Sequence, residues 1–186
     1  YATLHKGDFY IGLNTEQYVG VANEKQTVRL ITVDTQGITR TQQALTVTFF
    51  RHEWYSVKEK APDGSDAFYW TNKVRDTAVA TATVQTDRNG VASASFTPKE
   101  GGTYKAVASG LDRSENTVRS ALYLWVSDSA WVNWGQENHD RITLVADKKS
   151  YSPGDTARIL VPSPYQGSVK ALLTIERGGI LEYKVL

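Results

Sequence analysis

The residues that most often carry chemistry are few and scattered. His5, His52 and His139 are the three histidines, and none has a metal-ligating or nucleophile-bearing partner at helical or hairpin spacing. Structural zinc needs four converging donors and catalytic zinc three, so this spacing supplies no metal site. His52 falls in a stretch of strand character, where a packed or surface role is expected. A hydrolytic triad needs a nucleophile beside its base, and no Gly-x-Ser-x-Gly elbow is present. No Gly-x-x-x-x-Gly-Lys loop is there to cradle phosphates. Asp63-Gly64-Ser65-Asp66 offers oxygens to calcium but lacks the ligand count of a calcium loop, so it reads as a bare turn. The absence of cysteine removes disulfides and thiolate metal sites. The expectation is no catalytic residue, no metal and no cofactor.

One group of side chains has binding chemistry. Trp54, Tyr55, Phe68, Tyr69 and Trp70 flank a polar loop, and aromatic platforms on β-sandwiches bind sugars. Successive strand residues point to opposite faces, however, so half of these rings are expected in the core. Both readings stand on the sequence alone, with Trp54 expected mainly in the core.

Positioning any of these residues falls to strands. Glycine and Asn/Asp turns recur at short intervals between Val-, Thr-, Tyr- and Phe-rich segments, and no stretch shows a 3.6-residue apolar period. The fold class is therefore all-β. Asp8–Leu13 and Tyr18–Val21 read as one broken edge strand, followed by Gln26–Val33 and a strand from Leu45 towards Val57. Phe68–Val74 and Thr77–Gln85 read as two further strands. Asp87-Arg88-Asn89-Gly90 is a strong hairpin signal, and Ala92, Ala94 and Phe96 alternate inward after it. Tyr104, Ala106 and Ala108 alternate likewise, and Ser120–Val126 closes the set. About seven strands at this spacing are the mark of an immunoglobulin- or fibronectin-III-like sandwich.

Residues 129–140 read as a linker between domains at 1–128 and 141–186. Trp131 and Trp134 within it are costly to leave in water, so they are expected to pack where the domains meet. Residues 141–186 supply about four strands, roughly half a sandwich. Their inward set (Ile142, Leu144, Ala157, Ile159, Val161, Leu173, Ile175) needs an opposing apolar surface from domain one, from the linker tryptophans or from another copy. Tyr1 stands where a translated chain would have methionine, and the chain reads as a fragment. A net charge of +1, with cations scattered among acids, is unlike a nucleic-acid footprint. No apolar run reaches the length of a membrane span.

The stretch Asp147–Arg177 organises the second half. In Tyr151-Ser152-Pro153-Gly154-Asp155, proline presets φ at the second turn position and glycine supplies φ > 0 at the third. Pro162, Pro164 and Gly167 punctuate the next connection, and Leu172-x-Thr174-x-Glu176-Arg177 follows as a strand. In this order and spacing, Tyr151, Pro153, Gly154, Asp155, Pro164, Gly167, Thr174, Glu176 and Arg177 resemble the macroglobulin domain leading into the bait region of bacterial alpha-2-macroglobulins. The first domain fits the same resemblance through Asp34-x-x-Gly37, Thr86-Asp87-x-x-Gly90, Phe96-Thr97-Pro98, Gly102-x-Tyr104-x-Ala106 and Leu124-Trp125-Val126.

That resemblance implies a macroglobulin-like sandwich at 1–128 and the N-terminal part of a second at 141–186. It implies a structural scaffold within a broad-range protease inhibitor that traps proteases after its bait is cut. The partners implied are target proteases, through the full-length parent, and the parent's other macroglobulin domains. No nucleic acid or membrane contact by this piece is implied. The implied place is the periplasm or cell envelope of a bacterium, or else outside the cell. The family's Cys-Gly-Glu-Gln thioester and its bait region are not among these residues. The alternative class is a fibronectin-type carbohydrate-binding or adhesion module.

Overall fold

A computed structural model describes residues 5–60, 68–129, 132, 134, 142–163, 165 and 167–186, with backbone alone at Ser56, Lys58 and 68–70. Among the described residues all twelve elements are strands. The first sheet holds β1 (Phe9–Asn14), β3 (Gln26–Asp34) and β6 (Val91–Phe96) in the order β1-β3-β6. The second holds β2 (Val19–Val21), β4 (Ala44–Lys60), β5 (Phe68–Gln85), β7 (Gly102–Leu111) and β8 (Thr117–Ser127) in the order β2-β8-β7-β4-β5. Every pairing is antiparallel except β2 with β8.

Period-two alternation decides which side chains enter the space between the sheets. Phe9 and Ile11 on β1, Val28 and Leu30 on β3, and Ala94 and Phe96 on β6 supply one wall. Leu45, Val47 and Phe49 on β4, Tyr104, Ala106 and Ala108 on β7, and Leu124 and Val126 on β8 supply the other. Phe49 stacks on Phe96 across the gap, with centroids 4.3 Å apart. The Tyr104 ring lies 5.3 Å from Phe96, and its hydroxyl donates to the Glu100 carbonyl at 2.9 Å.

Two strand readings need correction. Asp8–Leu13 and Tyr18–Val21 are not one broken strand, because β1 and β2 belong to different sheets. Phe68–Val74 and Thr77–Gln85 are one strand, β5. Its pairing with β4 passes from Phe49↔Ala80 to Phe50↔Ala78, so Val79 is an extra residue in a bulge. A bulge lets a long strand continue past an interruption in its alternation, which a sequence reading takes for a break.

Three turns are built alike. Asp34, Asp87 and Asp112 each accept two backbone N–H bonds on Oδ1, from the residues two and four positions on, at 2.8–2.9 Å. In each, the N–H three residues on donates back to the aspartate carbonyl at 3.0–3.1 Å. The fourth residue has a left-handed backbone: Gly37 at φ 85°, Gly90 at 73° and Glu115 at 61°. Glycine adopts that region without steric cost, whereas glutamate crowds its Cβ against the backbone. Bonds from the Asn116 side chain and from backbone N–H groups hold the Asp112 carboxyl below its ordinary range. Backbone N–H groups of Val91 and Asn89 do the same for Asp87.

Residues 142–186 form two separate two-stranded sheets. One pairs β9 (Val145–Ala146) with β10 (Ile159–Leu160), and the other pairs β11 (Leu172–Glu176) with β12 (Ile180–Val185). The alternation expected over Ala157–Val161 yields only the short β10. Ile142, Leu144, Ile159, Val161, Leu173 and Ile175 are between 44% and 54% exposed, and Ala157 is exposed too. The covering surface expected for this set is thus not supplied by the described part of the first sandwich. Val132 is buried and its Cγ2 lies where a Cβ on Gly101 would be, so the glycine makes room for it. Trp134 is half-buried, while Trp131 lies outside the described residues.

Replacing Glu115 by glycine should raise stability by about 1 kcal/mol, because the left-handed φ then carries no side-chain penalty; urea titration of the two proteins reads the difference. The aspartate turns also set an acid limit. The folded-state pKa values of Asp87 and Asp112 lie below the unfolded value of about 3.9, so their contribution is complete above that pH and disappears as pH falls through the folded values. The thermal midpoint should hold down to about pH 4 and drop below it, and Asp112→Asn should flatten the drop.

Candidate functional site

Outside the core, a polar cluster sits on the outer face of the five-stranded sheet. His52 on β4 stands opposite Asp76 on β5. Its Nδ1 hydrogen-bonds Asp76 Oδ1, and Lys105 Nζ on β7 donates to Asp76 Oδ2 at 3.0 Å. Trp54, two residues along the same face, stands edge-on to His52 at 4.4 Å, and Tyr123 on β8 does so at 5.2 Å. His52 is only 8% exposed. Burial pushes the Asp76 carboxyl upward, but the bonds from His52 and Lys105 and their charges outweigh it and leave it below the ordinary range. The bond to Asp76 raises Lys105 in turn.

A histidine paired to a carboxylate is two parts of a triad, and a nucleophile would have to meet the ring on its other side. Trp54 and Tyr123 flank the imidazole instead, and the second carboxylate oxygen is held by a lysine. The cluster ties β4, β5 and β7 together where β7 stops pairing with β4, at His52↔Thr103. From Glu53 onward β4 and β5 run on as a two-stranded ribbon, laced by Arg75–Glu53 at 3.1 Å and by Lys73–Glu59. Sequence reading placed His52 in a strand and missed this cluster, because Asp76 and Lys105 are remote in the chain.

Trp54 is half-buried on this outer face and is not part of the core cluster, contrary to the sequence expectation. Tyr55, on the opposite face, is exposed beneath the Arg75 guanidinium, 5.8 Å from its ring centre. The side chains of Phe68, Tyr69 and Trp70 and the turn Asp63–Asp66 lie outside the described residues. Among the described residues no three His, Asp or Glu side chains converge as a metal site would require. His5 hydrogen-bonds the Tyr10 hydroxyl, and His139 lies outside the described residues.

In the motif that organises the second half, Asp155 N–H donates to the Ser152 carbonyl at 3.0 Å, and Gly154 has φ 94°. That is the turn expected from Pro153-Gly154. Asp155 Oδ2 accepts the Ser152 N–H at 3.0 Å. The Tyr151 hydroxyl donates to Asp147 Oδ1, which also accepts the Arg158 N–H at 3.1 Å. The Tyr151 bond holds the Asp147 carboxyl down and the Tyr151 phenol up. Asp147 therefore staples the turn to β10, a role the sequence reading did not assign. Gly167 has φ 78°, and Arg177 N–H donates to the Gly179 carbonyl at 2.9 Å in the turn after β11. Thr174 and Glu176 pair with Tyr183 and Ile180 on β12, and Pro164 lies outside the described residues.

Tyr18, just before β2, touches both halves. Its N–H approaches the Asp147 carbonyl at 3.4 Å, its carbonyl accepts the Trp125 N–H at 2.9 Å, and the Lys149 ammonium lies 5.4 Å from its ring centre.

No protein-family model matches the chain. It is 28% identical over 155 residues, 83% of its length, to an alpha-2-macroglobulin homolog of a Nostoc species, of which that alignment covers 8%. Its architecture is similar to the native conformation of Escherichia coli alpha-2-macroglobulin, with a TM-score of 0.51 and 21% identity over 96% of this chain and 12% of that one. Salmonella alpha-2-macroglobulin reacted with methylamine gives a TM-score of 0.50 and 19% identity over the same shares. The chain thus spans about a tenth of these relatives. Over most of its length the chain is similar in sequence to a bacterial alpha-2-macroglobulin homolog, and its all-β fold is that of a stretch of the bacterial alpha-2-macroglobulin structures.

Proposed function

We propose that this stretch is a scaffold within a bacterial protease inhibitor of the alpha-2-macroglobulin type. In this reading the full-length protein offers a bait, is cut by a target protease, changes shape and holds the protease. Residues 1–128 are one complete wall domain, 129–140 a linker, and 141–186 the N-terminal part of a second sandwich. The parent works in the periplasm or cell envelope. The partners are target proteases, met through the parent, and its other macroglobulin domains. The observation that carries the scaffold role is that Asp76, Asp112, Asp147 and His52 are each bonded to neighbouring strands or turns. Groups engaged in this way shape the backbone and do not bind substrate.

The chain of residues 1–186 should neither hydrolyse chromogenic peptide, glycoside or phosphate-ester substrates nor inhibit any protease. Dose-dependent inhibition by the purified chain would show that the trapping element lies here and overturn the scaffold reading. The full-length protein carrying this stretch should be cut at a limited region by an added endopeptidase. It should then protect a large protein substrate while a small peptide is still cleaved. Loss of activity on both substrates would indicate a blocked active site and not a trap.

The half-domain reading has its own test. Burying each large aliphatic side chain stabilises by about 1.5–3 kcal/mol, and the exposed set on β9 to β12 forgoes most of that. Residues 141–186 expressed alone should be unfolded by circular dichroism and amide dispersion, while residues 1–128 should melt cooperatively. A dispersed, monomeric spectrum from 141–186 would overturn the division.

A further inference from the structure

Asn89-Gly90 is the one Asn-Gly pair in the sequence, and this pair has a reactivity that the scaffold role does not use. The backbone nitrogen that follows an asparagine is placed to attack its side-chain Cγ, and glycine has no Cβ to obstruct the approach. In that reaction the Gly90 nitrogen bonds to Asn89 Cγ and gives up its proton, while the Cγ–Nδ2 bond breaks and ammonia leaves with that proton. Water then opens the resulting succinimide. Opening at Cγ leaves aspartate, and opening at the backbone carbonyl leaves isoaspartate, whose main chain runs on through Cβ. The folded turn opposes the first step. The Gly90 N–H donates to the Asp87 carbonyl at 3.0 Å and so is not presented to Cγ. The Asn89 N–H donates to Asp87 Oδ1 at 2.8 Å, and its Nδ2 approaches Asp87 Oδ2 at 3.5 Å. Gly90 is buried, its carbonyl accepts the Thr32 N–H at 2.9 Å, and a Cβ on it would lie 3.0 Å from Thr39 Cβ. Its peptide therefore cannot swing towards Asn89 without parting from β3. Asn89 itself is exposed, so base and water reach it once the turn opens.

We propose that Asn89 is a deamidation site latched by its own turn: the reaction proceeds only when the Asp87–Val91 turn opens, and isoaspartate then keeps the turn from reclosing in register. The lengthened main chain displaces Gly90 from its left-handed position at φ 73° and from Thr32. Thr32 in turn belongs to the buried hydroxyl bonds that join it to Thr86 and the Arg40 carbonyl. The aspartate product does less harm. It sets a second carboxylate where the Asn89 amide met Asp87 Oδ2, and like charges then repel across an otherwise unchanged backbone. Modification at this exposed residue thus loosens the β5–β6 hairpin and its tie to β3, and no spontaneous step reverses the loss of ammonia.

Peptide mapping by mass spectrometry of the 186-residue chain, held at mildly alkaline pH with and without denaturing urea, reads the rate at Asn89 from the amide-to-acid mass gain. A protein isoaspartate methyltransferase counts the isoaspartate formed. In urea Asn89 should be modified ahead of every other asparagine. In the folded chain it should react at least about tenfold more slowly, because reaction waits on local opening. Hydrogen exchange at the Gly90 amide waits on the same opening, so its protection should match that retardation to within about threefold. Asp87→Ala removes the carboxylate that holds Asn89 and Val91, and should return the rate most of the way to the value in urea. If that variant fails to fold, the agreement between exchange and deamidation in the unaltered chain decides the matter. The isoaspartate form, separated by ion exchange, should melt below Asn89→Asp, and Asn89→Asp below the parent. Equal rates with and without urea overturn the latch, and an isoaspartate form that melts with the parent overturns its consequence for the fold.

Discussion

The stack of Phe49 on Phe96 is the contact on which the sandwich depends. It joins β4 of one sheet to β6 of the other at 4.3 Å, and Tyr104 closes against it from β7. Phe49 is fully buried, among Leu45, Val47, Ala106, Ala108 and Val126. Removing such a ring from a core costs about 3–5 kcal/mol, a large fraction of the 5–15 kcal/mol by which folded domains are stable. Small residues around it let the rings approach. Ala94, Ala106 and Ala108 occupy inward positions where larger side chains would hold the sheets apart.

Around that apolar centre, polar groups are committed to backbone. Thr32 and Thr86 are buried, and their hydroxyls donate to the Arg40 carbonyl, while Thr86 Oγ1 accepts the Gln43 N–H at 2.9 Å. These bonds pin the crossover from β3 to β4 inside the sandwich, where an unpaired hydroxyl or amide would cost about 1–3 kcal/mol. The His52–Asp76–Lys105 cluster does similar work on the outer face. An arrangement of this kind holds strands in register.

The two parts of the chain differ in how they meet the hydrophobic effect. In the first, inward residues from seven strands cover one another. In the second, β11 and β12 expose both faces, Leu172, Leu181, Tyr183 and Val185 among them. Two-stranded sheets with apolar residues on both sides are marginal in water without a further layer. Such a segment gains order only against another surface, whereas the first sandwich carries its own core.

The sequence by itself determined the strand class and most of the core. Period-two alternation at Leu45–Phe49, Ala92–Phe96 and Tyr104–Ala108 is local, and each inward position named from it is buried or half-buried. The Asp-x-x-Gly turns were legible for the same reason, since the aspartate bonds span only four residues. Glu115, in the glycine position of the third such turn, was not, because nothing local marks a strained glutamate. Tertiary structure alone decided that β1 and β2 part into different sheets, that a bulge at Val79 joins two apparent strands, and that Trp54 faces outward. It also brought His52 to Asp76 and Lys105, which lie 24 and more residues away along the chain. Alternation specifies that a side chain takes one of two faces, but not which strand comes to lie beside it; that choice depends on how the two sheets close over Phe49 and Phe96.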